Sequence, residues 1–230
     1  TYAVAFLIIL FIKYQPIVKN EIDKGNVLER LKNGIKFLKA NPLIFIFGVC
    51  SYMIFTFLIV EMFVLVPSYV SNYLHSGGNV FASSEVYYSI GAVLSGMCIR
   101  PIFSRFNTVF GIIFLMILTI IGCFLLTFTQ SIGVFYAISL LIGITNAGTR
   151  VLRITYLFNH VPNNVIGRAG SVFNSISIII RTLMIAAFSI PFFTTGENAK
   201  WGYLVGAAFL SIGLIPLLIN YKKLVNLTKT

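Results

Sequence analysis

Acidic side chains are scarce in this chain of 230 residues: six Asp and Glu stand against 17 Lys and Arg, and only 10% of the residues are charged. An average soluble domain has about a quarter of its residues charged. Hydrophobic residues make up 58% of the chain, and the mean hydropathy is +0.94. These values exclude a soluble domain and indicate a membrane protein. The formal charge of +11 is then expected in loops on one side of the membrane rather than in a nucleic-acid interface.

Residues that hold metals, disulfides or nucleotides are also few. Cys50, Cys98 and Cys123 lie inside apolar runs without a Cys-x-x-Cys spacing, so neither a disulfide framework nor a zinc site is indicated. The two histidines, His75 and His160, fall in loops on opposite sides of the membrane. No Gly-x4-Gly-Lys-Ser/Thr loop for ATP is present. The sequence therefore predicts no metal, no cofactor and no catalytic residues.

Six apolar runs dominate the sequence, each long enough to cross a hydrocarbon core of about 30 Å as a helix. They are residues 43–70, 85–103, 109–128, 133–150, 169–193 and 201–219. An earlier run, residues 2–12, is too short to span, and we interpret residues 1–14 as the end of a truncated transmembrane helix. The expected fold is an all-α integral membrane protein with six complete spans, preceded by this partial helix and a cytoplasmic linker. The chain is expected to be a fragment.

The linker, residues 15–41, is the one long polar segment. Its apolar residues recur at steps of three and four, with basic residues on the other sides, which predicts an amphipathic helix on a membrane surface. The apolar positions are Val27, Leu28, Leu31, Ile35 and Leu38. A solvated basic linker is the alternative. The Asn41-Pro42 pair predicts an N-cap and a first helical position for the next helix.

Turns that contain several Lys or Arg residues alternate along the chain with turns that contain few or none. They are absent from residues 71–84 and from the turn around Gln130, and Lys200 alone stands in the last turn on that side. The turns between, the linker and the tail 221–230 are basic, with Arg100, Arg105, Arg150, Arg153 and Arg168 in the turns. Because cytoplasmic loops carry the excess of Lys and Arg, residues 14–41, 104–108, 158–168 and the C-terminus are expected in the cytoplasm. We expect a multi-pass protein of the cell membrane, inner or plasma.

Two local motifs resemble a known family. Residues 91–107, Gly-Ala-Val-Leu-Ser-Gly-Met-Cys-Ile-Arg-Pro-Ile-Phe-Ser-Arg-Phe-Asn, run from a glycine-rich helix end into a short turn. They resemble the signature between helices eight and nine of the major facilitator superfamily, an Asp-Arg-x-Gly-Arg type turn. Arg105 matches it, whereas Ser104 and Asn107 stand where Asp and Gly are usual. Residues 167–175, Gly-Arg-Ala-Gly-Ser-Val-Phe-Asn-Ser, resemble the start of helix eleven in the efflux-type branch, which includes macrolide and siderophore exporters.

The resemblance implies that residues 42–220 form the C-terminal six-helix half of a twelve-helix transporter. Residues 15–41 would be its central cytoplasmic loop, and a missing N-terminal half of the same protein its partner. Candidate gating contacts between the halves are Gly96, Arg100, Arg105, Gly167 and Arg168. Gly91 with Ser95, and Ala92 with Gly96, form small-xxx-small steps that allow close and sliding helix contacts. Tight packing and positive-inside topology are the alternative explanations for these residues.

Two charged residues lie deep inside the apolar runs, where an unpaired charge costs several kcal/mol. Glu61 lies 18 residues into its run, about 27 Å along a helix, and Arg181 lies about 18 Å into its own. A helical wheel of the fifth run shows one polar arc, with Ser177 at its edge. The arc contains Ser171, Asn174, Ser175, Ile178, Arg181 and Thr182. In the resembling family, the equivalent helices line a central cavity.

We therefore hypothesise that Glu61 and Arg181 face this cavity, as a switchable pair or as separate contacts to substrate and proton. Ser171, Asn174 and Asn146 are further candidates for substrate or proton contacts. The alternative is a permanent Glu61–Arg181 bridge that locks two helices.

Other notable side chains have structural interpretations. Glu85 follows two serines at the start of its run, which favours a helix-capping role. Six aromatic residues near the outer boundaries are typical of an aromatic belt. They are Tyr69, Tyr73, Tyr87, Tyr88, Trp201 and Tyr203.

The sequence as a whole predicts a secondary transporter and not an enzyme. We expect proton-coupled efflux of small amphipathic molecules by alternating access, in antiport with protons. The expected partners are a small-molecule substrate, membrane lipids and the N-terminal half, but no nucleic acid. Import of a small nutrient is the alternative within transport, and a membrane-embedded enzyme is the alternative outside it.

Overall fold

The computed structural model describes residues 27–103 and 106–227, and all the regular elements in these ranges are helices. Helix α1 is Val27–Ala40, and α2 runs continuously over Pro42–Tyr73. The remaining helices are α3 (Gly78–Phe103), α4 (Thr108–Phe128), α5 (Ile132–His160), α6 (Asn163–Phe188), the short α7 (Pro191–Thr194), α8 (Ala199–Ile219) and α9 (Tyr221–Leu227). The partial helix predicted at residues 1–14, and Arg105, lie outside the described residues.

Helices α2 to α6 and α8 are long and apolar enough to cross a membrane. This confirms the predicted all-helical membrane fold with six spans. Short links join consecutive spans, so the spans alternate in direction, and α1 and α9 lie at the same end of the bundle. Tyr156 in the last part of α5 donates a hydrogen bond of 3.2 Å to the carbonyl of Leu224 in α9.

Basic side chains concentrate at that end, which we call the basic end. It carries Lys32, Lys36, Lys39, Arg100, Arg150, Arg168, Lys222 and Lys223. At the opposite end, Glu197 lies 3.9 Å from His75 and 4.0 Å from Lys200. The charges thus segregate between the two ends as the alternation of the turns predicts.

Three helices begin or end away from the limits of their apolar runs, two because polar residues near a membrane surface do not stop a helix and one because of a proline. α5 continues past Arg150 to His160, so that the link to α6 shrinks to Val161 and Pro162. α3 begins at Gly78, which places Glu85 two turns inside the helix and contradicts the predicted capping role. α6 ends at Phe188, before a turn and a proline that starts a separate short helix.

At the junction between α1 and α2, Pro42 lies in the first turn of α2, as predicted. Asn41 stands at the N-cap position, but its side chain accepts no hydrogen bond from α2. Its Nδ2 instead donates to the carbonyl of Phe37 in α1 at 3.0 Å, so the predicted N-cap position is confirmed without a side-chain hydrogen bond to α2.

Helix α1 forms where the three-and-four spacing of apolar residues predicts a helix, over Val27–Ala40 of the linker. Leu38 is 2% exposed, and Gly34 lies so near the first turns of α6 that a Cβ built on it would lie 2.8 Å from the carbonyl oxygen of Arg168. Ile35, by contrast, is 39% exposed. α1 is therefore held against the bundle along one stripe and open along another.

Helices α3 and α5 approach each other closely through two glycines. A Cβ added to Gly91 would overlap the carbonyl oxygen of Leu140, and one added to Gly143 would overlap that of Tyr88. The two backbones approach each other through these glycines, which confirms the predicted close approach at Gly91. Gly96 faces open space on the exposed side of α3 and takes no part in this contact.

Candidate functional site

Glu61 lies in the interior of the bundle, where α2 changes its winding. The residue begins a π-helical turn, Glu61–Leu65, and a second one covers Tyr69–Tyr73. Such turns occur often at functional sites because they rotate the following side chains relative to a regular helix. The Glu61 side chain is 7% exposed, and the hydroxyl of Tyr203 in α8 donates a hydrogen bond of 3.1 Å to its Oε1.

A small cavity opens beside this carboxyl between α2, α3 and α5. Its wall contains Glu61, Glu85, Tyr88 and Ser139, together with apolar side chains. The cavity has a volume of about 20 Å³, which is enough for one water molecule and too little for an organic substrate. Two carboxyl groups from different helices therefore border one small cavity.

Asn146 supports this wall from α5. The residue is 8% exposed, and its Nδ2 donates a hydrogen bond of 2.8 Å to the hydroxyl of Tyr88. The predicted candidate Asn146 is thus brought to the Glu61 region through Tyr88. Thr145 is also buried, but its hydroxyl donates to the carbonyl of Ile142 within its own helix.

Arg181 is half-buried on α6. Among the ion pairs of the described side chains, none joins it to Glu61. The alternative of a permanent bridge is therefore wrong. Glu61 and Arg181, which were hypothesised to face one cavity, form no ion pair with each other in this conformation.

The polar arc of α6 faces outward from the bundle. Ser171, Asn174 and Ser175 are exposed, whereas Ser177 at the edge of the arc is 3% exposed. The Ser177 hydroxyl lies 2.7 Å from that of Thr56, which links α6 to α2. Ser171 and Asn174 accordingly belong to an open polar face that adjoins Arg181, and not to the cavity beside Glu61.

The aromatic residues assigned to a belt are not all at the surface. Tyr69 and Tyr203 are fully buried, and Tyr73 is 4% exposed. The Tyr69 hydroxyl donates to the carbonyls of Leu126 and Thr129 at 2.8 and 2.9 Å. Tyr203 and Tyr88 contact the site, a role that their position near the ends of apolar runs did not indicate.

Arg153 is a buried charge, although the distribution of basic residues in the sequence predicts it in a cytoplasmic turn. It is 4% exposed, and its Nη1 donates a hydrogen bond of 3.0 Å to the carbonyl of Ser51 in α2. Its guanidinium lies 3.7 Å from the centre of the Tyr52 ring. The depth of Arg153 follows from the extra turns of α5, which the pattern of charges did not reveal.

The remaining gating candidates gather at the basic end. Arg100 is exposed near the end of α3, and Gly167 is exposed with free space around it near the start of α6. Arg168 is half-buried where α1 meets α6. The turn containing Ser104 and Arg105 is outside the described residues, and Asn107 caps α4 by accepting a 2.8 Å hydrogen bond from the Val109 amide.

A six-span bundle with a carboxyl buried beside a small cavity is typical of one class of protein, since ionisable groups inside such bundles mark ion and substrate pathways. The class is that of multi-pass membrane transporters. A family model described as Major Facilitator Superfamily matches residues 1–184. The chain belongs to the major facilitator superfamily, whose members are transporters and not enzymes. No curated protein and no solved structure matches the chain.

Proposed function

We propose that this chain belongs to a proton-coupled exporter of small amphipathic molecules that works by alternating access. The protein lies in the cell membrane, and its basic end faces the cytoplasm because an excess of Lys and Arg marks cytoplasmic loops. Export is supported by the resemblance of residues 167–175 to the efflux-type branch. The opposed movement of substrate and proton makes the protein an antiporter.

The observation that carries this proposal is the position of Glu61. A carboxylate buried in a membrane bundle is costly unless it is paired or hydrated. In this conformation the hydrogen-bond donor to Glu61 is the Tyr203 hydroxyl, and the adjoining cavity has room for one water. A carboxyl can lose its charge by binding a proton, and such groups form the proton relays of pumps and transporters. Glu61 is the proton-carrying group, and Glu85 across the cavity is its neighbour in the relay.

Substrate contacts are assigned to the open polar face of α6. Arg181, Asn174 and Ser171 present a cation, an amide and a hydroxyl outside the packed interior. The Ser171 hydroxyl donates a hydrogen bond of 3.0 Å to the carbonyl of Gly167, and polar groups on a membrane helix are stable only against water, protein or a polar ligand. The proposed proton site is on α2 and the proposed substrate site is on α6. The proton site can therefore be occupied while the substrate site is empty, and the reverse. Asn146 holds Tyr88 in the wall of the proton site.

The candidates at the basic end form the cytoplasmic gate of the proposed cycle. In this proposal Arg100, Arg105 and Arg168 contact the other half of the transporter when this side closes. Gly96 and Gly167 leave space on the exposed sides of α3 and α6 for that approach.

The decisive experiment uses the full-length protein in inside-out membrane vesicles with an imposed proton gradient. Uptake of a panel of lipophilic dyes and drugs is measured for wild type and Glu61→Gln, with Glu197→Gln as the matched control at an exposed carboxylate. We expect gradient-dependent uptake in wild type and Glu197→Gln, and background uptake in a folded Glu61→Gln protein.

Two results would contradict the proposal. Retained coupling in Glu61→Gln would remove the proton role of Glu61. Absence of gradient-dependent uptake by well-folded wild type would overturn export and favour an importer with a narrow substrate range.

A further inference from the structure

Helix α1 carries a row of lysines along its open side. Lys32, Lys36 and Lys39 follow one another at steps of four and three residues, and all three are exposed. Together with Asn33 and Ile35 they line an open surface cavity of about 580 Å³. Side chains at these spacings share one side of a helix, so the three ammonium groups face one region of space.

An apolar groove continues from this basic cavity between α1, α2 and α6. Its walls are formed mainly by Leu38, Phe45, Val172, Ile176 and Ile179, and its volume is about 420 Å³. Ile35 and Lys39 line both the basic cavity and the apolar groove. The two features are thus halves of one surface, cationic at the helix end and apolar where α2 and α6 enter the membrane.

The charge of this surface indicates what it binds. Among the residues that the structure describes, no carboxylate lines either half. Basic residues next to a membrane span attract anionic headgroups, and amphipathic helices bind such membranes through a basic face and buried apolar area. A ligand that fits both halves has an anionic head and a long apolar chain.

We propose that this surface binds one anionic phospholipid, with its phosphate on Lys32, Lys36 and Lys39 and an acyl chain in the groove. The bound lipid fills the groove between α1, α2 and α6 and adds to the contacts that hold the linker helix against the bundle. The site is separate from the Glu61 cavity and does not depend on the proposed transport function.

The test measures lipid retention by purified full-length protein. Native mass spectrometry counts lipids bound from equimolar phosphatidylglycerol and phosphatidylcholine with the same oleoyl chains. Replacing Lys32, Lys36 and Lys39 together by Gln is compared with Lys222→Gln plus Lys223→Gln, which removes exposed lysines from α9 at the same end. We expect the first set to abolish the preference for phosphatidylglycerol and the second to leave it unchanged.

The groove has its own pair of variants. Ile179→Trp fills the groove, whereas Leu183→Trp alters an equally exposed position one turn further along α6, since the two residues are 61% and 67% exposed. We expect Ile179→Trp to reduce retention of the phospholipid and Leu183→Trp to have no effect. Inorganic phosphate at millimolar concentration is expected not to displace the lipid, which distinguishes a phospholipid site from a phosphate site.

Three outcomes would overturn the proposal. One is an equal loss of preference in both lysine sets, which indicates general electrostatic attraction. Another is unchanged retention in Ile179→Trp. The third is cross-linking of a photoreactive residue at position 179 to another protein segment instead of to lipid, which means that protein covers the groove.

Discussion

The guanidinium of Arg153 lies over the ring of Tyr52, 3.7 Å from its centre, while Nη1 donates a 3.0 Å hydrogen bond to the carbonyl of Ser51. α5 is thereby attached to α2 in the half of the bundle that adjoins the basic end. The Arg153 Nε is buried without a hydrogen-bond partner. The charge is thus held by a ring face and a carbonyl, with no carboxylate among its partners in the described part of the chain.

Replacing Arg153 separates the packing of this side chain from its charge. Replacing a buried ion by an apolar side chain of similar volume is often neutral or stabilising because its desolvation cost disappears. We expect Arg153→Met to keep or raise the melting temperature in detergent. Arg153→Ala leaves a cavity against Tyr52 and is expected to cost about 2 to 5 kcal/mol, as for other large-to-Ala changes. Equal destabilisation by both variants would show that the charge itself stabilises the fold.

The hydrogen bond from Tyr203 to Glu61 is measured by a double-mutant cycle. Tyr203→Phe is expected to cost about 1.5 to 3 kcal/mol of unfolding free energy if Glu61 is charged and about 0.5 to 1.5 if it is neutral. In a Glu61→Leu background the cost should fall to near zero because the acceptor is absent. Tyr69→Phe is the control, since its hydroxyl bonds to Leu126 and Thr129, and its cost should be the same in both backgrounds. An unchanged cost of Tyr203→Phe would refute the coupling.

The membrane class, the six spans and the depth of Glu61 were predictable because each depends on a sum over many residues. Twenty apolar positions in a row specify a span whatever its neighbours are, and a single carboxylate within such a row stands out. The helical period of α1 was predictable for the same reason, since it depends on several apolar residues at regular spacing. The small-xxx-small pattern identified the contact at Gly91 but gave Gly96 the same weight, because such a pattern does not tell which side of a helix meets a partner.

The partners inside the site were not predictable from sequence. Tyr203 and Trp201 lie two residues apart near the same helix start, yet Tyr203 is fully buried and Trp201 is 37% exposed. In spans that are apolar on all sides, the wheel does not separate core from lipid. Arg153 was misplaced because a basic residue three positions after Arg150 fits both a loop and a continuing helix, and tertiary contacts with α2 decided between them.

The link between α2 and α6 through Thr56 and Ser177 offers a direct measure of one polar contact in the bundle. Their hydroxyl oxygens are 2.7 Å apart, and both residues are buried. Side-chain hydrogen bonds between membrane helices contribute about 0.6 kcal/mol on average and up to about 1.7. A cycle of Thr56→Ala, Ser177→Ala and the double variant should give a coupling energy in this range. A coupling indistinguishable from zero would mean that both hydroxyls find equal partners elsewhere, as Thr56 already does at the Tyr52 carbonyl.

The contact between α3 and α5 leaves no space for a methyl group. Gly143→Ala forces the new Cβ into the carbonyl of Tyr88, and backbone atoms cannot turn aside as a flexible side chain can. We therefore expect a loss of about 1 to 3 kcal/mol, the usual cost of overpacking, and the same for Gly91→Ala. Gly96→Ala and Gly170→Ala add a methyl where nothing lies within 4 Å, and they should be neutral or slightly stabilising because alanine favours the helix. Melting temperatures in one detergent compare the four variants.

If Gly143→Ala and Gly96→Ala behave alike, α3 and α5 are further apart in the membrane than in this conformation, and the glycine contact belongs to another step of the transport cycle.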